Sequence, residues 1–317
     1  MTNKVYTDNI ISVIMPTFRR PGGLARALKS LTSQHAPGYD IEIIIADNSP
    51  EATARKYVTD FAKTSPHKIV YVHAEIPGVS NARNAAVAAS TGRYIAWLDD
   101  DQEASENWIL EMMATARDCG AAMVFCPTYA ILEIETKSDA EYIKFFSRLA
   151  SHVRGPISEF FGCGNSLMDC SKFTLPSPVF DPEANETGGE DDLLFTQIQQ
   201  QGVITAWTPD THTQEYIPAG RTNPEYVRKR ALAWGQGPSE IARDNHDNVA
   251  LIKWMFIGAA QMAVYSLPML ATKIIGHSSH VSWLRKFWEG VGKVFWSNNL
   301  RPKLYGASSP LSVANKA

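Results

Sequence analysis

Cysteine is scarce in this chain of 317 residues. The four present, Cys119, Cys126, Cys163 and Cys170, show neither zinc-site nor thioredoxin-type spacing, so they are expected to be reduced, mostly buried thiols of a cytosolic protein. Internal repeats and low-complexity tracts are missing, and no nucleic-acid-binding motif is present. The amino-terminal region has only one short apolar run, Ile10 to Met15, which ends at Pro16. It is too brief for a signal peptide or a membrane anchor, so the front of the chain is expected in the cytoplasm.

What is there suits a folded protein. Hydrophobic residues make up 44% and charged residues 20%, enough for one large domain plus an appendage. The formal net charge of −3 hides an asymmetry, because residues 221–317 hold thirteen Lys/Arg against five Asp/Glu, whereas residues 1–220 hold seventeen against twenty-eight. A basic, aromatic-rich carboxyl region suits an anionic surface, and a merely solvated face is the plainer alternative.

Hydrophobic patterning alternates between strand and helix. Ile10–Met15 reads as a buried strand, followed by Leu24, Ala27, Leu28 and Leu31 at helical spacing. Ile41–Ala46 is a second strand, with Tyr57, Val58 and Phe61 marking its helix. Ile69–Val72 leads to an alanine-rich helix over about 80–90, and Tyr94–Leu98 runs into Asp99-Asp100-Asp101 before a helix over about 106–119. This order predicts an α/β fold with a mainly parallel sheet covered on both faces. After Met123-Val124-Phe125 the alternation weakens and a mixed sheet region is expected.

In open α/β sheets ligands bind beyond the carboxyl ends of strands. Three strands here end in polar residues: Pro16-Thr17-Phe18-Arg19-Arg20, Asp47-Asn48-Ser49 and Asp99-Asp100-Asp101. Each alone is as readily a turn or a helix cap. Asp99 and Asp101, one residue apart on an extended segment, would point the same way and could hold Mg²⁺ or Mn²⁺ through oxygen ligands. A second acidic cluster, Gly188-Gly189-Glu190-Asp191-Asp192, opens a helix, where carboxylates commonly serve only to meet the helix dipole.

Taken together, Pro16-Thr17-Phe18, Asp47, Gly78-Val79-Ser80-Asn81-Ala82-Arg83-Asn84 and Leu98-Asp99-Asp100-Asp101 resemble the family-two glycosyltransferases of GT-A fold, over roughly residues 10–215. The resemblance, strongest to bacterial exopolysaccharide enzymes, implies an inverting transfer from a nucleotide diphosphate sugar, with uridine as the base. It implies that Asp101 ligates the cation, that Asp99 lies near the ribose or the metal, and that Asp100 shares either task. Pro16 and Thr17 would frame the base with Arg19 nearby, and Asp47 would accept from the uracil edge. Asn81, Arg83 and Asn84 would line the nucleotide-sugar pocket, with Arg83 reaching phosphate or holding an Asp of the metal loop. Asp191 would be the general base, with Glu190 the alternative or an acceptor-sugar ligand. His212 would be a further metal ligand or an ordinary loop histidine. Phe160–Leu167 would be a glycine-bearing strand near the acceptor, and Trp207 and Tyr216 could offer flat faces to sugar rings.

The resulting organisation is a catalytic domain of residues 1–220, with a nucleotide-sugar half over 1–125 and an acceptor half over 126–220, then a helical, basic extension over 221–317. Within the extension, Trp254 to Ala271 is borderline for spanning a bilayer, and a helix lying in the membrane surface is the favoured reading over a spanning, core or re-entrant one. Trp283, Leu284, Phe287, Trp288, Val291 and Phe295 interleave with Arg285, Lys286 and Lys293 as in an interfacial helix, or pack on the catalytic domain. A membrane-bound enzyme would take a lipid-linked saccharide acceptor on the cytoplasmic face. Residues after about Gly306 are expected to be flexible. Two rivals are a non-catalytic nucleotide-sugar-binding scaffold and a sugar-1-phosphate nucleotidyltransferase. The latter normally carries a glycine-rich loop where Pro16–Arg20 stands.

Overall fold

A computed structural model describes residues 6–185, 188–297, 300 and 302; the stretch after Gly306, expected to be flexible, lies outside the described residues. The first half runs β1 (Thr7–Thr17), α1 (Pro21–Leu31), β2 (Asp40–Asp47), α2 (Arg55–Ala62), β3 (Lys68–His73), α3 (Val79–Ala89), β4 (Gly92–Trp97), β5 (Gln102–Ala104) and α4 (Trp108–Asp118). It continues through β6 (Met123–Phe125), β7 (Thr128–Leu132), α5 (Asp139–Phe146), β8 (Gly155–Ile157), β9 (Ser166–Asp169), α6 (Glu190–Gln199), β10 (Thr205–Trp207) and β11 (Thr213–Ile217). Three helices follow: α7 (Pro224–Asp244), α8 (Asn248–Ile274) and α9 (His280–Val294).

The main sheet has eight strands in the order β3-β2-β1-β4-β9-β6-β10-β8. β3, β2, β1 and β4 are mutually parallel, whereas β9 is antiparallel to both β4 and β6. The α/β fold is therefore as the patterning implies, with mixed pairing confined to the second half. Period-two alternation sends Ile11, Val13 and Met15 of β1 to one face, against Leu24 and Leu28 of α1 and Trp108 and Met112 of α4. Ile14 faces the opposite layer with Ala82 and Ala86 of α3 and Leu194, Phe195 and Ile198 of α6. With both faces covered, the near-continuous apolar runs in β1 and β2 have nowhere to meet water.

Strand order reverses between β1 and β4, so their carboxyl ends, Thr17 and the turn after Trp97, open a crevice at the switch point. A small sheet in the order β5-β11-β7 closes one side of that crevice. The glycine-bearing segment leading into β9 and the first turn of α6 close another.

The last three helices pack through glycines. A Cβ on Gly235 would strike the Glu289 backbone, one on Gly292 the Leu232 carbonyl, and one on either Gly258 or Gly290 the other's backbone. These notches let α9 lie directly on both α7 and α8. A cluster of Tyr142, Phe145, Val227, Val281 and Leu284 joins the unit to α5. The outer face of α8 is bare hydrocarbon: Val249, Ile252, Phe256, Val264, Leu267, Leu270 and Ile274 are all exposed.

Candidate active site

The acidic triplet is a tight turn, with the Gln102 amide donating 3.0 Å to the Asp99 carbonyl. This corrects the expectation of an extended segment whose two outer carboxylates share one direction. Asp99 lies against Gly164, where a Cβ would overlap its carboxylate, and 3.6 Å from the Arg83 guanidinium. Asp100 turns back to β1, accepting from the Thr17 hydroxyl at 2.8 Å and from Arg20 at 3.0 Å. Asp101 takes Arg20 at 2.8 Å and Arg221 at 3.3 Å. Burial pushes the Asp99 carboxyl upward, opposed by Arg83 and reinforced by Asp101 and Asp191. The Asp101 carboxyl is held low instead, because Arg20 and Arg221 outweigh its burial.

Arg83, on α3, is 5% exposed and ion-pairs with Glu190 at the start of α6 while reaching Asp99. Arg83 thus contacts both Asp99 of the triplet and Glu190. Glu190 is likewise buried, which raises its carboxyl pKa against the pull of Arg83. Asp191 is differently placed: its carboxylate accepts the Cys163 amide at 3.0 Å and lies 3.2 Å from where a Gly162 Cβ would sit. Gly162 and Gly164 thus face Asp191 and Asp99, and their missing side chains make room for carboxylates. The chain bends at Cys163 and turns at Gly164, so the two glycines lie less than the roughly 7 Å that two extended residues would span, and Asp191 is near enough to push the Asp99 carboxyl upward.

Other residues singled out in the sequence have different occupations. Asp47 is 0% exposed, and its carboxylate accepts from the Ser49 amide and hydroxyl, the Ala54 amide and the Tyr71 hydroxyl, at 2.6 to 3.0 Å. Four donors fill a carboxylate's lone pairs, so Asp47 organises the loop after β2 and has no acceptor site left for a uracil edge. Asn84 uses both ends of its amide on the Phe180 backbone. Asn81 sits at the first turn of α3 with its amide on the carbonyls of Ile76 and Pro77. Arg19 leans to Glu51 at 2.6 Å, and Pro16 and Thr17 form the end of β1.

His212 does not join the triplet. The β5–β11 ladder sets Glu215 opposite Gln102, so His212 falls beside Ser105, four residues or roughly 13 Å along the strand from Asp101, with its ring against Tyr129. Trp207 is wholly buried and donates 2.7 Å to the Ser151 carbonyl, which makes it core. Tyr216 is covered by Arg26, 4.2 Å from its ring centre, and bonds Glu103.

Several site residues escaped the sequence reading. Arg221 and Glu215 come from β11 and its sequel, Arg148 follows α5, and Arg148 pairs with Glu215 at 2.7 Å. Gln102 is 1% exposed with its Nε2 close to Gly164, and that amide nitrogen makes no hydrogen bond. Glu190 Oε2 is also buried without a donor. Asn165, at φ 77, receives Trp108 and donates to the Cys126 and Pro127 carbonyls, pinning the glycine segment in place.

A divalent cation fits this donor set in kind. The carboxylates are hard oxygen ligands and Glu190 Oε2 is a buried oxygen without a donor, whereas the unpartnered Gln102 Nε2 is a hydrogen-bond donor suited to an anionic or carbonyl partner. Among the described residues no three His, Cys, Asp or Glu form a ready cage. Small divalent cations are commonly held by one or two carboxylates plus substrate phosphates.

Comparison with known proteins bears on the family and the fold. The model of "Glycosyl transferase family 2" matches residues 12–174. The chain is 32% identical over 227 residues to "Succinoglycan biosynthesis protein ExoM" of Rhizobium meliloti, covering 71% of this chain and 73% of that protein. It is 28% identical over 116 residues, 36% of this chain and 37% of the other, to the GalNAc(5)-diNAcBac-PP-undecaprenol beta-1,3-glucosyltransferase of Campylobacter jejuni. The mannosyltransferase PcManGT of Pyrobaculum calidifontis, solved with GDP-Man and Mn²⁺, superposes with a TM-score of 0.60 at 16% identity, covering 91% of this chain and 87% of that one. S. aureus TarS 1-349 with UDP gives 0.51 at 13% identity, covering 95% and 98%. From its motifs, its GT-A architecture and these matches, the chain belongs to glycosyl transferase family 2.

Proposed function

We propose that this protein transfers a sugar, with inversion, from a UDP-sugar to a lipid-linked saccharide in bacterial surface-polysaccharide synthesis. The observation that carries the reading is the meeting of Asp99 and Asp191 across the Gly162–Gly164 segment, one at the triplet turn and the other at the head of α6. Asp191 takes the proton of the acceptor hydroxyl as that oxygen bonds to the anomeric carbon, and the bond from that carbon to the diphosphate oxygen breaks on the opposite side. Glu190, locked to Arg83, is poorly placed to carry a proton and instead fixes α6 against the triplet. Asp99 and Asp101 are the residues that would hold Mn²⁺ or Mg²⁺, which when bound neutralises charge growing on the leaving diphosphate. In this reading residues 1–220 are the catalytic domain and 221–317 the extension.

UDP as donor nucleotide follows the fold neighbour TarS, solved with UDP, whereas PcManGT was solved with GDP-Man, and the lipid-linked acceptor follows the name of the Campylobacter protein. The membrane surface is supported by α8. Between Lys253 and Lys273 it has no charged residue, and its outer face is exposed. Its inner face is held along α9, which carries Arg285, Lys286, Glu289 and Lys293. A helix so bound to a charged neighbour cannot cross the bilayer alone, so α8 lies in the plane of the cytoplasmic leaflet with lysines at its ends.

The test is incubation with a panel of UDP- and GDP-sugars, Mn²⁺ and bacterial lipid extract, with the labelled product identified by mass spectrometry. An inverted glycosidic product from a UDP-sugar, lost in Asp191→Asn, is the expected result. Nucleotide binding without transfer across the panel would instead favour a non-catalytic scaffold.

A further inference from the structure

A basic and aromatic patch adjoins Arg148, and the transfer chemistry uses none of it. Arg148 pairs with Glu215 at 2.7 Å, yet its Nη1 is buried and makes no hydrogen bond. Arg230 of α7 is close enough that its charge opposes the one on Arg148. The Arg230 guanidinium lies over the ring of Trp234, 5.3 Å from its centre, and that of Arg285 on α9 lies 5.5 Å from the same centre. Phe145 of α5 stands against the indole at 5.1 Å. Glu289 takes Arg285 through Nε, which leaves both Nη atoms to a ligand. Two guanidiniums from different helices thus converge on one indole that is 41% exposed, with a third beside them.

Gathering like charges costs Coulomb energy, which a bound anion offsets. Guanidinium donors match phosphate oxygens in pairs, and a diphosphate offers enough of them for more than one arginine. The far end of the patch has the opposite character. Residues 230, 234, 237 and 241 share one face of α7 by helical spacing. On that face Gly237 has open space where a side chain would stand, and Ile241 is exposed. The face is therefore charged near the crevice and apolar about 16 Å further on, at a rise of about 1.5 Å per residue. After α7 the chain enters α8, where the exposed Val249 and Ile252 begin the bare hydrocarbon face. A soluble saccharide has no use for the apolar end, and a membrane phospholipid has none for an end beside the crevice. A molecule with phosphates between its sugar and its hydrocarbon chain matches both.

We propose that Arg230 and Arg285, with Trp234 between them, hold the diphosphate of a polyprenyl-diphosphate acceptor while its chain runs along α7 toward α8. The inference rests on the lipid-linked acceptor reading above and names the part of the acceptor that is recognised. The saccharide then extends past Arg148 into the crevice.

Titration calorimetry of the full chain in detergent with farnesyl diphosphate, a short polyprenyl diphosphate, tests the site. The wild type is expected to bind it at least tenfold more tightly than either farnesol or inorganic diphosphate. Arg230→Ala and Arg285→Ala should each weaken it about tenfold, as for a lost hydrogen bond to a charged group, with UDP affinity at saturating Mn²⁺ unchanged. Arg230→Lys and Arg285→Lys should recover part of the loss, and they serve if an alanine variant does not fold, as judged by its thermal melt. Variants that bind farnesyl diphosphate as the wild type does, farnesol binding equally tightly, or a matching loss of UDP affinity would each overturn the site. Phosphatidylglycerol competing as well as farnesyl diphosphate in the same detergent assigns the patch to membrane headgroups and overturns it too. The lipid-linked reading is judged separately, since it falls only if the wild type forms no product from the lipid extract with any sugar donor.

Discussion

The crevice and the helical extension break the usual rule of folding in opposite ways. Around the crevice, ionisable groups are buried: Asp100, Glu190, Glu215 and Arg83 are each under 9% exposed. On α8, large apolar groups are turned to water, with Val249, Leu267 and Ile274 each at least 75% exposed. Buried charge is costly unless paired, and exposed hydrocarbon forfeits about 25 cal/mol for each Å² it could have buried. Neither region is at a free-energy optimum by itself. In the proposed function each is one half of a complex, the first with a charged donor and the second with a lipid surface.

The contrast can be broken residue by residue. Asp191→Asn should lower kcat by about 10²- to 10⁴-fold while leaving UDP affinity in place, as read by initial rates and titration. A loss of nucleotide affinity instead would move Asp191 to the donor side. Arg83→Ala should cost about 3–5 kcal/mol of stability in denaturant unfolding, because Glu190 would stay buried with no counter-charge. An additional Glu190→Gln change should recover part of that loss.

On the extension the expected effects reverse. Phe256→Glu with Leu267→Glu should leave the melt unchanged or slightly raised, since both side chains already face water. It should remove flotation with vesicles containing anionic lipid, each lost anchor contributing about 1.5–3 kcal/mol. Unchanged flotation would assign the face to another partner.

The smallest effect expected is on acid stability. Burial opposes ionisation of Glu42, yet hydrogen bonds from Ser12, Thr91 and Lys68 prevail and hold its carboxyl below the usual range. A depressed folded pKa stabilises above the unfolded value of 4.5 and is lost as pH falls through the folded one. Glu42→Gln should therefore lower the melt near neutrality and flatten its decline below about pH 5, against a steeper decline in the wild type.

The first half of the fold was legible because its strands are short apolar runs closed by polar residues, and β1, β2 and β4 end where the sequence changes character. Asp99–Asp101 and the Glu190–Asp191 pair were visible for the same reason, lying at element ends where ligands bind. What they bond was not visible. Asp47 closes a strand just as Asp99 does, but whether such a carboxylate meets a ligand or its own loop depends on Ser49, Ala54 and Tyr71 folding back onto it. His212 was misplaced because ladder register between distant strands leaves no local trace. Arg221 and Arg148 come from loops in the region where alternation fades, and the partners they reach lie 120 and 67 residues away. For α8, composition shows an apolar helix, and only packing against α9 reveals which face lacks cover.

The central claim is that the crevice beyond β1 and β4 holds the diphosphate and its cation together. Crystals soaked with UDP and Mn²⁺, with data collected at the manganese edge, address it most directly. An anomalous peak within about 2.5 Å of an Asp99 or Asp101 oxygen, with the diphosphate beside it, is the expected result. A peak or a nucleotide bound anywhere else on the protein would contradict it.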